Sequence, residues 1–187
     1  MLLASEAGLR IGEIRGLQWT DNKAGHLTVR RAVDTRNNVG PPKHDKRRTI
    51  GVSDSLRDAL AQLPRRGIWV VSRLDGGMLG YWTMLETMHA AYQRAGVTVP
   101  ASDTGETMPW HSLRHTFGTE LAGAGVPLPV IQRLMGHADI KTTMRYVTVN
   151  ADQMDAAIAS VFGNSGQQVA NRTGAKPPAA TISDEKQ

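Results

Sequence analysis

The chain has 187 residues, which suits one domain with a substantial core, and it contains no cysteine. The lack of cysteine excludes disulfide bonds and thiolate zinc sites, and it fits a reducing, cytoplasmic location. We expect neither a signal peptide nor a membrane span, because the start lacks a basic segment and no apolar run is long enough.

The positive charge of the chain is concentrated in one segment. The net charge is +5, yet residues 23–48 hold eight lysines and arginines against Asp34 and Asp45, which gives +6 and leaves about −1 elsewhere. A local basic strip on a nearly neutral body is typical of a surface that contacts nucleic-acid phosphates. A solvated, charged hairpin is the alternative interpretation.

Two helical runs are predicted at the start of the chain. LLASEAG is typical of the last turns of a helix that ends before Gly8, and RIGEIRGLQ repeats its apolar residues at helical spacing. Arg10 and Glu13 lie three residues apart, so they can pair on one helical face. Because the first run begins within a helix, we expect that sequence preceding Met1 is missing.

The apolar period changes to two after His26. HLTVRRAV and RRTIGVS are predicted strands, and the polar loop between them contains Gly40, Pro41 and Pro42. These strands would form a hairpin that carries the basic segment. RGIWVVSR, which begins at Arg66, is a third predicted short strand.

Helices dominate the remainder of the predicted domain. Ser53 can cap a helix over DSLRDALAQL, and GYWTMLETMHAAYQRAG is an amphipathic helix that ends at Gly96. Further helices are predicted from Trp110 to Gly125, over PLPVIQRLM and after Asp139. The fold class is therefore mainly α with a small antiparallel β-sheet.

The end of the chain has a different composition. ADQMDAAIASVF, which begins at Ala151, can form one more helix, whereas the residues from Gly163 are mostly Gly, Pro, Ala, Ser, Asn and Gln. We expect one domain over residues 1–162 and a disordered tail over residues 163–187.

Four chemically active side chains are brought close by short helices and tight turns between residues 111 and 146. His111 and Arg114 leave one helical face, His137 follows Gly136 in a turn, and Tyr146 lies at the end of the next helix. A guanidinium and an imidazole can hold an anion, while a tyrosine hydroxyl can act as a nucleophile. The ordinary alternative is that the histidines and Tyr146 serve packing and that Arg114 lies on the surface.

The order and spacing of these residues carry a resemblance to a known family. H-x-L-R-H-T, L-x-G-H-x-D-x-x-T-T-x-x-Y and G-L-R-x-x-E-x-x-x-L-x-W-x-D resemble the catalytic domain of the tyrosine recombinase (phage integrase) family. The resemblance covers about residues 2–160. It implies a catalytic set with Tyr146 as the nucleophile: Arg10, Glu13, Lys43, His111, Arg114, His137 and Tyr146.

Lys43 is matched through the segment PPKHDKRRTIGVS. The family usually has proline where this chain has Gly51, and the looser register makes Lys46 a second candidate for the catalytic lysine. A lysine among basic residues is otherwise most often a phosphate contact. The remaining predicted DNA contacts are Arg30, Arg31, Arg36, Lys46, Arg47 and Arg48.

The resemblance implies site-specific recombination or integration of DNA without ATP, a metal or another cofactor. The expected partners are double-stranded DNA and three further copies of the chain, which would form a homotetramer on DNA. We expect that the N-terminal DNA-binding domain, which closes a clamp around DNA in the family, is missing from this sequence. Two alternatives are a type IB topoisomerase-like nicking-closing enzyme and a non-catalytic DNA-binding remnant of an integrase.

Overall fold

This computed structural model describes residues 1–99, residues 108–146 and Ala159. The helices and strands named below lie in the first two ranges. The helices are α1 (Leu2–Ser5), α2 (Ile11–Arg15), α3 (Asp54–Gln62), α4 (Tyr81–Arg94), α5 (Pro109–Gly123), α6 (Leu128–Met135) and α7 (Ile140–Met144). The strands are β1 (Asn22–Lys23), β2 (His26–Val29), β3 (Ala32–Val33), β4 (Val39–Gly40) and β5 (Arg48–Gly51). The mainly helical fold with a small antiparallel sheet is confirmed.

The main sheet has three antiparallel strands in the order β1-β2-β5. Leu27 lies opposite Ile50 and Val29 lies opposite Arg48, and all four side chains are buried. Alternate residues of a strand point to opposite faces, so Arg48 shares the inward face of Ile50. A basic residue is thereby directed into the protein.

Two strand predictions require correction. HLTVRRAV does not form one strand, because β2 ends at Val29 and β3 pairs with β4 in a separate two-stranded sheet. The run that begins at Arg66 forms only isolated bridges, from Trp69 to Gln18 and from Ser72 to Met78. The prediction of a third strand rested on the apolar β-branched residues of this run. Each bridge pairs only one residue of the run with a loop residue, so no continuous strand forms.

The helix boundaries follow the local signals in the sequence. The Ser53 hydroxyl accepts a hydrogen bond from the Leu56 backbone N–H at 3.3 Å and caps α3, and Pro109 occupies the first turn of α5. Gly136 ends α6 in the left-handed conformation, with φ at 62°. The Asp139 carboxylate accepts from the Lys141 backbone N–H at 2.9 Å and caps α7.

The buried apolar side chains form two clusters within the described residues. The larger cluster joins α1, α2, the main sheet and α3, with Leu9, Ile14 and Leu27 among its members. The smaller cluster lies between α5, α6 and the end of α7, and it consists of Phe117, Ile131, Met135 and Tyr146. The predicted nucleophile is therefore part of the packing of the C-terminal helices.

Residues Met1–Val147 form one unit. The predicted helix from Ala151 lies outside the described residues except for Ala159, which is helical, and the predicted tail from Gly163 lies outside them entirely. The boundaries at residues 162 and 163 stay a prediction. Among the helices of the described residues, none has both the length and the apolar character that crossing a membrane requires.

Candidate active site

One buried carboxylate, that of Glu13, organises the arginines of the site. Arg10 is the N-cap of α2, and its backbone N–H and its Nη1 donate to Glu13 at 2.9 and 3.0 Å. Arg48 reaches the same carboxylate from β5 with two hydrogen bonds of 2.9 and 2.8 Å. Arg114 Nη1 lies 4.0 Å from Glu13 Oε2. Burial acts to raise the pKa of Glu13, but its hydrogen bonds and the positive charges of Arg48 and Arg10 outweigh it and lower the pKa.

Arg48 is committed to the interior of the protein. Its side chain is 3% exposed, and its Nε donates to the Leu134 carbonyl at 2.6 Å in addition to the bidentate pair with Glu13. All three nitrogens of Arg48 are thus bonded within the protein, so Arg48 is not part of the exposed basic surface, and its predicted phosphate contact gains no support from the structure. The inward parity of Arg48 with Ile50 on β5 is the sequence signal that could have shown its burial.

Arg114 lies on α5, where its guanidinium is buried between two backbone carbonyls. It donates to the oxygens of Gly8 and Met135. Gly8 has φ at 61°, and Phe117 leaves no room for a Cβ there, so this carbonyl is presented by a position that requires glycine. Burial, and then the charge of Arg10, lower the pKa of Arg114 to about 9, which still keeps it protonated at neutral pH.

His137 occupies the turn to which both predicted catalytic arginines bind. Arg10 Nη2 donates to the Gly136 carbonyl at 3.2 Å, next to the Met135 carbonyl that Arg114 contacts. The His137 Nδ1 and the Thr143 hydroxyl are 2.9 Å apart and buried, which fixes the ring. Burial, followed by the charges of Arg114 and Arg10, lowers the pKa of His137 to about 4.

Tyr146 is held between the C-terminal helices, with 9% of its surface exposed. Its ring is stacked on that of His137, with centroids 6.2 Å apart and planes within 9° of each other. Burial raises the pKa of the hydroxyl, against the opposing effect of Arg114, Arg10 and Arg145. The phenol is therefore protonated at neutral pH, and its attack on an electrophile requires a base.

Two imidazoles lie on the side of α5 that faces Tyr146. His111 Nε2 and His115 Nε2 are 3.0 Å apart, and the His115 ring centroid lies 5.2 Å from that of Tyr146. Desolvation, then the positive charges of His115, Arg114 and Arg10, lowers the pKa of His111 to about 4. The sequence indicated no catalytic role for His115, although its spacing of four residues from His111 is that of a shared helical face.

A cavity of about 680 Å³ borders the arginines and His111. Its lining includes Arg10, His111 and Arg114 together with apolar residues such as Trp82 and Trp110. The cavity thus combines cationic and hydrogen-bonding groups with apolar surface. This combination suits an anionic group that is attached to a flat or apolar one.

The basic segment is divided by its ion pairs. Asp21 takes Arg31 at 2.6 Å and Arg30 at 3.6 Å, and Arg47 pairs with Asp45 at 3.3 Å. Arg30 and Arg47 remain exposed, whereas Arg31 is half-buried and also donates to the Gly16 carbonyl. The ion pairs thus occupy part of the predicted phosphate-binding surface.

The loop between β4 and β5 carries both candidate lysines. Lys43 begins a turn of 3₁₀-helix over Lys43–Asp45, and Lys43, Lys46 and Arg36 are exposed. Within the described residues none of these three makes an ion pair. The structure thus brings together Arg10, Glu13, His111, Arg114, His137 and Tyr146, and it keeps Lys43 on an exposed turn.

A metal site is not indicated within residues 1–99 and 108–146. The His, Cys, Asp and Glu side chains of these ranges form no group of three that could hold a metal ion. The buried carboxylate of Glu13 instead forms ion pairs with the guanidinium groups of Arg10 and Arg48.

Comparison with known proteins shows which protein family the chain matches. A family model described as "Phage integrase family" matches residues 1–153. The tyrosine recombinase XerC of Rhodospirillum centenum is 33% identical over 152 residues, which are 79% of this chain and 40% of the relative. The integrase of Escherichia phage 186 is 29% identical over 153 residues, which are 82% of this chain and 40% of the relative. The chain thus spans about two fifths of the length of these relatives.

Solved structures of the same fold are also similar. An integrase of the Tn1549 transposon, in complex with a circular intermediate DNA, aligns with a TM-score of 0.68 at 20% identity, over 85% of this chain and 56% of that one. The catalytic domain of bacteriophage HP1 integrase aligns with a TM-score of 0.55 at 23% identity, over 86% of this chain and 78% of that one. These similarities support the fold assignment.

Proposed function

This chain belongs to the phage integrase family, and we propose that it is the catalytic domain of a site-specific DNA recombinase that forms a covalent 3′-phosphotyrosine at Tyr146. The observation that carries the proposal is the turn at residues 135–137. Both Arg10 and Arg114 bind carbonyls of this turn, and His137 in the same turn is stacked on Tyr146. Two guanidinium groups, an imidazole and a phenol are therefore assembled at one place.

The two arginines retain donors for a phosphodiester. A guanidinium has five N–H groups. Within the described residues, Arg10 and Arg114 each use two of them in hydrogen bonds to protein atoms, so three remain on each arginine. Planar donors that stay charged at neutral pH can neutralise the non-bridging oxygens, and they act most where charge accumulates in the transition state. His137 would add a further hydrogen bond from its Nε2.

The first chemical step transfers the DNA strand to the protein. The Tyr146 oxygen forms a bond to phosphorus while the bond from phosphorus to the 5′-oxygen breaks. The phenolic proton passes to an imidazole, for which His111 is the predicted base, and Lys43 protonates the 5′-oxygen. A second 5′-hydroxyl then attacks the phosphotyrosine and reverses these transfers on a new strand. The covalent bond conserves the phosphodiester energy, so ATP is not required.

Glu13 and Arg48 position this site without touching the substrate. Glu13 holds Arg10 in place from one side of the carboxylate, and Arg48 ties the same carboxylate to the Leu134 carbonyl near the His137 turn. Because Arg48 belongs to β5, it also connects the arginines to the loop that carries Lys43. The exposed Arg30, Arg36, Lys46 and Arg47, together with the half-buried Arg31, would contact DNA phosphates.

The experiment that tests this function is capture of the covalent intermediate. Duplex DNA with a nick near the scissile phosphate releases its short 5′-hydroxyl product, so the protein–DNA adduct accumulates. We expect an adduct with the unaltered chain and with Tyr92→Phe, and none with Tyr146→Phe, which loses only the nucleophilic oxygen. An adduct that persists in Tyr146→Phe would refute the assignment of the nucleophile.

Two further outcomes separate the alternatives. Relaxation of supercoiled DNA without strand exchange between two sites would indicate a topoisomerase-like activity. DNA binding without any adduct would indicate a non-catalytic remnant. The proposed partners are duplex DNA and, for exchange between two sites, a homotetramer of catalytic domains.

A further inference from the structure

His115 lies between the predicted base and the predicted nucleophile. Its ring centroid is 4.6 Å from that of His111 and 5.2 Å from that of Tyr146. We propose that His111 and His115 act as one base that shares a single added proton, with His115 as the imidazole beside Tyr146. This inference rests on the proposed function and assigns the proton acceptor within it.

The contact between the two rings determines how many protons they hold. A neutral imidazole has one N–H and one acceptor nitrogen, whereas an imidazolium has two N–H groups. The Nε2 atoms of His111 and His115 are 3.0 Å apart, a hydrogen-bond distance in which one ring donates and the other accepts. Two imidazolium rings would oppose N–H to N–H, so this contact admits one added proton and disfavours a second.

The groups that face the pair are mainly cationic. Arg114 and Arg145 act on His115, and Arg114 and Arg10 act on His111, while His137 and Tyr146 complete the surroundings. Desolvation and these charges lower the pKa of both rings, so both are neutral and able to accept a proton at neutral pH. A phosphodiester bound to Arg10 and Arg114 adds a negative charge and thereby raises the proton affinity of the pair.

The proton balance of the attack follows from this arrangement. The Tyr146 O–H bond breaks, its electron pair forms the bond to phosphorus, and its proton joins the imidazole pair, which becomes a singly charged imidazole–imidazolium pair. The 5′-oxygen leaves with a proton from Lys43. In religation the pair returns its proton to Tyr146, and the 5′-hydroxyl returns one to Lys43.

The test is the single-turnover rate of adduct formation on the nicked duplex, measured across pH for three substitutions. A general base contributes about 10²–10⁴-fold in rate. We expect losses in this range for His115→Gln and equally for His115→Phe, with DNA affinity unchanged, and no loss for the distant control His26→Gln. Full activity of His115→Phe would show that the ring serves packing only, and full activity of either variant would overturn the proposal.

A second measurement distinguishes a basic ring from a space-filling one. In His115→Ala, added imidazole should restore adduct formation, whereas pyrrole, a ring of the same size without a basic nitrogen, should not. Equal rescue by both rings would show that only the volume matters. If the unaltered chain itself forms no adduct, the proposed function fails; if it does and His115→Gln is fully active, only this inference fails.

A third readout needs no activity. In the NMR titration of the histidine rings, His115→Gln should raise the pKa of His111, because the charge of His115 is among the groups that lower it. His26→Gln should leave the His111 titration unchanged. An unchanged His111 pKa in His115→Gln would refute the shared proton.

Discussion

The sharpest prediction concerns Glu13, whose replacement by glutamine leaves the shape of the side chain nearly unchanged. In the native protein its carboxylate balances the fully buried end of Arg48 and one side of Arg10. Glutamine removes the negative charge and can accept through only one of its two terminal atoms. The Arg48 guanidinium then remains buried without a counter-ion.

The expected loss follows from that uncompensated charge. Breaking a buried ion pair by removing one partner costs about 3–5 kcal/mol. For a chain of this size each kcal/mol lowers Tm by about 2–4 °C, so Glu13→Gln should lower Tm by about 6–20 °C. The control is Arg57→Gln, which breaks the exposed pair with Asp54 and should cost less than about 1 kcal/mol.

The assay is thermal and urea unfolding followed by circular dichroism. Its pH dependence has a defined sign, because the folded-state pKa of Glu13 lies below its ordinary value. The contribution of the carboxylate is fully present above the unfolded pKa of about 4.3 and is lost as the pH falls through the folded pKa. The difference in stability between the native chain and Glu13→Gln should therefore become smaller as the pH is lowered. A loss at pH 7 no larger than that of Arg57→Gln would refute the reasoning.

Two substitutions test the chemistry of the site. Gly118→Ala should slow adduct formation but not DNA binding, because the new Cβ would lie 2.8 Å from Tyr146 Cζ and 2.9 Å from Met135 Sδ. The control is Gly123→Ala, whose new Cβ would lie in open space on the same helix. Lys43→Ala should regain cleavage on DNA whose 5′-bridging oxygen is sulfur, since a thiolate leaves without a proton. Rescue of Lys46→Ala instead would move the acid to that residue, and rescue of neither would reduce both lysines to phosphate contacts.

The helical part of the fold was predictable because its signals are local. The Ser53 cap, Pro109 in the first turn of α5, the left-handed Gly136 and the Asp139 cap each act within one turn of the chain. The short strands were predicted less well. A two-residue strand has too few side chains to show a period, so the division between β2 and β3 is decided by pairing partners that are distant in sequence.

The order of the proposed catalytic residues was visible in the sequence, but the contacts that hold them were not. Glu13 and Arg48 are 35 residues apart, and Arg48 and Leu134 are 86 apart, so no local sequence pattern predicts either contact. The charge pattern was even misleading, because it placed Arg48 with its exposed neighbours. The alternation of inward and outward residues along β5 would have distinguished Arg48 from its exposed neighbours.

The burial of Arg48 changes how the Lys43 loop relates to the rest of the site. If the loop were held only by its own turn, motion of Lys43 would be independent of the arginines. Arg48, at the beginning of β5, instead joins the end of this loop to Glu13, and Glu13 joins Arg10. A phosphodiester that draws Arg10 towards its oxygens would therefore act, through Arg48, on the end of the loop that carries Lys43, the proposed acid. In this arrangement one carboxylate links the arginine that we propose neutralises the phosphate to the loop of the lysine that we propose protonates the leaving oxygen.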